Sequence, residues 1–134
     1  MKLIVGVRGS GKTKQLIEMV NQSAEKSEGS VICVEYGNKL NFDITYKARL
    51  IDASIYKIDN ADKLMGFISG ISASNHDITH LFIDSALKIC QNDIDAFATI
   101  VDTVATLAKE GNFDCVMTLS ADVSECPESI RKYL

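Results

Sequence analysis

The stretch Gly6-Val7-Arg8-Gly9-Ser10-Gly11-Lys12-Thr13 constrains this chain more than any other. It follows a short apolar run, Lys2 to Val7, which reads as a buried strand. It leads into Lys12 to about Lys26, where Leu16, Ile17, Val20 and Ala24 share one helical face while Lys14, Glu18 and Glu25 lie elsewhere. A strand that passes through a glycine-rich turn directly into a helix is the opening of an α/β unit. Glycine tolerates backbone conformations that a side chain disfavours, so a turn of this composition can aim successive N–H groups at one point.

The spacing matches the phosphate-binding pattern GxxxxGK[ST]. At average residue frequencies it arises by chance in roughly half a per cent of chains this long, so the flanking strand and helix give it its weight. In this reading the loop N–H groups and the positive end of the following helix face phosphate oxygens. Lys12 reaches the β- and γ-phosphates, and the Thr13 hydroxyl ligates magnesium. Gly6, Arg8, Gly9, Ser10, Gly11, Lys12, Thr13 and Lys14 are the candidate nucleotide-binding residues.

Beyond the loop, apolar runs alternate with amphipathic stretches. Ser30 to Glu35, Arg49 to Asp52, His80 to Asp84 and Phe113 to Leu119 read as strands. Ala61 to about Ser72 and Asp93 to Glu110 read as helices, and a short helix is expected after Pro127. Strands apolar on both sides and alternating with helices imply a sheet of about five mainly parallel strands with helices on both faces. With the loop, this is the expectation of a P-loop NTPase fold, a single nucleotide-binding domain over residues 1–134.

Such a site needs a second magnesium group. Asp84 ends the run Leu81-Phe82-Ile83, so its carboxylate should project from the carboxyl end of a strand, where ligands of open α/β sheets bind. Thr13 and Asp84 are the candidate metal ligands, and Lys12, Asp84 and Glu35 the candidate catalytic residues. The residue after Asp84 is Ser85, where many ATPases place a Glu that orients the attacking water. Glu35, ending the second strand, is the first candidate for a substitute base, ahead of Asp52 and Asp122. Thr118 and Ser120, at the tip of the last strand, are candidates for sensing nucleotide state. His76 and His80 read as structural, and Tyr36 and Tyr46 as amphipathic surface residues, with stacking on a base as the alternative.

Composition narrows the alternatives. The 134 residues carry 14 Lys and Arg against 18 Asp and Glu, a net charge of −4, which disfavours general nucleic-acid binding. No run approaches the roughly 18 apolar residues of a membrane helix, and no secretory leader is legible. Cys33, Cys90, Cys115 and Cys126 form no CxxC pair, as expected of reduced cysteines in a cytoplasmic protein. Asp84 is not followed by the DxxG of a GTPase, and Asn38-Lys39-Leu40-Asn41 has Asn where a guanine-reading NKxD has Asp. Arg8, Arg49 and Arg131 are too few for the Arg-rich lid of a small-molecule kinase.

The chain resembles a family of small bacterial P-loop proteins labelled ATP-binding or twitching-motility PilT-like. The resemblance rests on Leu3-Ile4-Val5-Gly6 leading into Arg8-Gly9-Ser10-Gly11-Lys12-Thr13-Lys14-Gln15-Leu16. It continues through Tyr46-Lys47-Ala48-Arg49-Leu50-Ile51-Asp52, Phe82-Ile83-Asp84 and Cys126-Pro127-Glu128-Ser129. It implies a nucleotide-binding fold and little about biological role. The sensing domain and His motif of pilus-retraction ATPases have no counterpart here. A fainter similarity to thymidine kinase shares the strand-loop opening and the later apolar strand ending in Asp, but Ser85-Ala86 stands where that family has Glu-Ala, and its zinc cysteines are missing. Together these features lead to the expectation of an Mg-ATP-binding protein with weak or partner-stimulated ATPase (hydrolase) activity, acting with a protein partner or as a homo-oligomer. The alternatives are a nucleoside or nucleotide kinase and a nucleotide-gated module without turnover.

Overall fold

The computed structural model describes residues 1–134. Five strands, β1 (Lys2–Gly6), β2 (Ser30–Glu35), β3 (Arg49–Asp52), β4 (Ile78–Ile83) and β5 (Asp114–Ser120), form one sheet in the order β1-β5-β4-β2-β3. Every neighbouring pair is parallel. The expected five-stranded α/β sheet is therefore present, and it is wholly parallel. The helices are α1 (Lys12–Lys26), α2 (Ala61–Ser74), the one-turn α3 (Ala86–Ile89) and α4 (Ile94–Gly111). After Pro127 the expected short helix is present, as a 3₁₀ helix over Glu128–Tyr133.

Strand alternation assigns each side chain to a face. Leu16, Val20 and Ala24 of α1 pack with Val31, Cys33, Phe82 and Val116 on one side of the sheet. Ile32, Val34, Leu81, Ile83, Cys115, Met117 and Leu119 point the other way, into a larger core with Leu64 and Ile68 of α2 and Phe97, Val101 and Val104 of α4. Helices thus cover both faces, and all four cysteines are free and buried. No helix is long and apolar enough to cross a membrane.

Several boundaries differ from the sequence reading. β4 starts at Ile78, two residues early, and ends at Ile83, leaving Asp84 just beyond the strand. α1 ends at the Ser27 cap; a Cβ on Gly29 would clash with the Asp77 carbonyl oxygen, so glycine there permits close packing of the following turn. Gly111 is the last residue of α4, and Asn112 takes the left-handed capping conformation at φ 54°. The short α3 was not anticipated. It begins at Ser85, whose φ of 56° turns the chain sharply after Asp84.

The topology positions the site. In an all-parallel sheet every strand ends at the same edge, so Gly6, Glu35, Asp52, Asp84 and Ser120 gather there. β5 lies between β1 and β4. The glycine loop and Asp84 therefore come from non-adjacent strands, and the polar tip of β5 lies between them.

Candidate functional site

The loop between β1 and α1 is built by its glycines. Gly9 and Gly11 stand at φ 86° and 89°, in the left-handed region that costs a side-chain-bearing residue roughly 1–2 kcal/mol. The loop closes on itself through the Ser10 N–H, which donates to the Val7 carbonyl at 3.1 Å. Gly11 caps α1 without any side-chain hydrogen bond, and no acid occupies the first turn of that helix. The other two long helices start differently. Asn60 accepts the Lys63 N–H at the start of α2, and Asp93 accepts the Ala96 N–H at the start of α4. Asp62 and Asp95 add negative charge in those first turns.

Lys12 is buried, 8% exposed, and its Nζ donates to the Val7 carbonyl at 3.2 Å, folded back across its own loop. Thr13 points toward the sheet. Its hydroxyl lies 3.2 and 3.3 Å from the two carboxylate oxygens of Asp84, 71 residues away in the chain. Asp84 is itself buried, and Thr118 of β5 donates to its Oδ1 at 2.7 Å. The Thr118 hydroxyl in turn accepts the Ser85 N–H at 2.8 Å, so it fixes both the carboxylate and the turn that follows. Sequence reasoning marked Thr118 as a sensing candidate. In the structure its contact is with Asp84, while Ser120, two residues on, faces the open cavity.

That cavity, of about 630 Å³, is lined by Arg8, Gly9, Gly11, Lys12, Thr13 and Lys14 on one side, and by Glu35, Tyr36, Lys39, Asp84, Lys88 and Asn92 elsewhere. Gly6 and Ser10 shape the loop without lining it; a Cβ on Gly6 would meet the Ser10 hydroxyl. Glu35 is buried, and its two oxygens accept the N–H groups of Lys39 and Leu40 at 3.0 and 3.1 Å. Burial raises its carboxyl pKa above the ordinary 4.5, with the nearby Asp52 and Asp84 charges adding to the shift and the two N–H groups opposing it. Cys33 lies beneath, its thiol pushed up to about 12 by burial and by the Asp84 and Glu35 charges, which leaves it inert.

The other acids are committed elsewhere. Asp52 accepts from the Gly37 N–H and from the N–H and hydroxyl of Ser54. Burial would raise its pKa, but those three hydrogen bonds outweigh it and lower it. Asp122 caps the 3₁₀ turn Val123–Glu125 in a reciprocal box with Glu125. His80 stacks on Phe82 away from the cavity, and Tyr46 is almost wholly exposed.

The structure thus gathers nearly every residue expected of the site into one cavity. It adds Lys39, Lys88 and Asn92, which no motif marks, and it places Tyr36, read as a surface residue, half-buried in the cavity wall. The arrangement can present N–H groups and cations to an anion beside a paired hydroxyl and carboxylate. No group of three or more His, Cys, Asp or Glu side chains is placed so that it could hold a metal ion by itself. A cation at Thr13 and Asp84 would have two hard oxygen donors from the protein and would take the rest from phosphate and water, which suits magnesium. No protein-family model matches the chain, and no curated protein matches it.

Proposed function

We propose that this is a P-loop protein that binds Mg-ATP in the cavity between the Gly6–Thr13 loop and Asp84, with weak or partner-stimulated hydrolysis. The observation that carries this reading is the hydrogen bond between Thr13 and Asp84, made beside a helix start that has neither cap nor acid. An apolar strand ending in Asp is common by itself; the chemistry of the loop requires such a carboxylate beside Thr13, 71 residues away in the chain.

In this mechanism the loop N–H groups and the α1 dipole bind the β- and γ-phosphates. Lys12 leaves the Val7 carbonyl and neutralises phosphate charge. Thr13 and Asp84 hold the magnesium, which supplies charge stabilisation to the transferring phosphoryl group. Thr118 holds Asp84 in place. Glu35 lies in the same cavity, and its raised pKa makes it a stronger proton acceptor than an ordinary carboxylate. The binding-only reading has its own support: both Glu35 oxygens already accept backbone N–H groups, and Ser85 follows Asp84.

Titration calorimetry with ATP in the presence and absence of magnesium, followed by phosphate release, tests the proposal. Mg-ATP binding that Lys12→Ala weakens by roughly 10- to 100-fold is the expected result. Equal affinity in wild type and variant would remove the loop assignment. Binding without phosphate release would select the nucleotide-gated module.

A further inference from the structure

The cavity holds more positive charge than one nucleotide accounts for. Five cationic side chains line it (Arg8, Lys12, Lys14, Lys39 and Lys88) against Glu35 and Asp84, in a chain whose net charge is −4. None of the five forms an ion pair with the protein, whereas Lys47, Lys63 and Lys132 pair with Glu25, Asp59 and Asp102. Clustered like charges without internal partners are an arrangement that an anionic ligand stabilises.

Arg8, Lys12 and Lys14 belong to the loop and the first turn of α1. Lys39 and Lys88 do not. They come from the segment after β2 and from α3. Both are held at a fixed backbone position. The Lys39 N–H donates to Glu35, and the adjacent Leu40 is buried, 4% exposed. Lys88 follows the turn that Thr118 fixes at Ser85, and its ammonium lies 5.8 Å from the centre of the Tyr36 ring. Asn92 adds an amide to the same wall. The loop cations and the magnesium answer the triphosphate, which leaves this wall for a second anion.

We infer that Lys39, Lys88 and Asn92, beside Tyr36, form a second anion subsite in the same cavity, suited to the phosphate of a phosphomonoester. Such a group carries about −1.5 to −2 at pH 7, which two lysines match. The aromatic face of Tyr36 offers an apolar surface to the organic part of the ligand. The inference rests on the nucleotide reading for its place in the function, but the subsite can be probed without nucleotide.

The test is a titration of the full chain with inorganic phosphate, followed by backbone amide shifts. Two separable sets of shifts are expected, one at Gly9, Gly11 and Thr13, the other at Lys39, Lys88 and Asn92. Lys12→Ala should weaken the first at least tenfold and spare the second, and the double variant Lys39→Ala/Lys88→Ala should do the reverse. Both lysines are exposed, and unchanged amide shifts elsewhere would establish that the double variant folds. Phosphate shifts confined to the loop and insensitive to the double variant would overturn the subsite while leaving the nucleotide reading intact. Shifts confined to the Lys39 and Lys88 wall would support the subsite and count against the loop. An absence of shifts at both places would contradict both.

Discussion

The starts of α1 and of α2 and α4 solve one physical problem in two ways. Each helix begins with N–H groups that its own turns cannot satisfy. At α2 and α4 the sequence answers locally, with Asn60 and Asp93 as caps and Asp62 and Asp95 against the dipole. At α1 it answers with Gly11 in a left-handed conformation, Lys12 and Lys14 in the first turn, and no acid. Lysines at the positive end of a helix oppose the dipole, so the isolated protein is less stable for them. The difference teaches where the chain leaves its own N–H groups uncapped: two helix starts are closed by side chains, and the third is open toward the cavity.

That contrast can be broken most sharply at Lys12. Replacing it by Ala removes a charge-assisted contact worth about 1.5–3 kcal/mol, so calorimetry should show Mg-ATP binding weakened by roughly 10- to 100-fold, with the fold intact. Asp84→Asn keeps the shape and the Thr118 bond but removes the charge. ATP affinity should then lose its dependence on magnesium, a change of about tenfold when titrations with and without the metal are compared. At the closed helix starts the expectation inverts. Asn60→Ala or Asp93→Ala should lower unfolding stability by about 1 kcal/mol in denaturant titrations and leave ATP binding unchanged. Lys14→Glu would turn α1 toward the pattern of its neighbours. Denaturant unfolding of the nucleotide-free variant should show a gain of about 0.3–1 kcal/mol, while its ATP affinity falls severalfold.

The smallest effect concerns Glu35. Its carboxyl pKa is raised on folding, so the folded state holds the proton more tightly than the unfolded state. The associated stability is fully present below the unfolded value near 4.5 and is lost as pH rises through the folded value. Thermal unfolding from pH 4 to 7 should show wild type losing this contribution. Glu35→Gln should lack that part of the slope, beneath a constant loss from the poorer acceptor facing Lys39 and Leu40.

The sequence made the open helix start readable because glycine and lysine at fixed spacing have few other uses. Asp84 was readable because an apolar run ended on it. Its partnership with Thr13 was not, since the pair is 71 residues apart and meets only because α1 packs across Phe82 and Val116. Spacing implied parallel strands but not their order, so the position of β5 between β1 and β4, and with it the Thr118 bond to Asp84, came from the structure alone. Lys39 and Lys88 were invisible for a different reason. One lies in a segment whose path depends on Glu35, and the other on a four-residue helix with no periodic signal. Glu35 itself was noticed as an acid at a strand end, but its two hydrogen bonds follow from a fold-back of the chain that no local pattern encodes.

The central claim is that the start of α1 is kept open for phosphate, and backbone amide shifts on adding Mg-ATP test it most directly. The account predicts the largest shifts at residues 9–13, with smaller ones at Asp84 and Thr118, and none at the capped starts of α2 and α4, residues 60–63 and 93–96. Saturating Mg-ATP that leaves residues 9–13 unmoved, or that acts first at those capped starts, would contradict it.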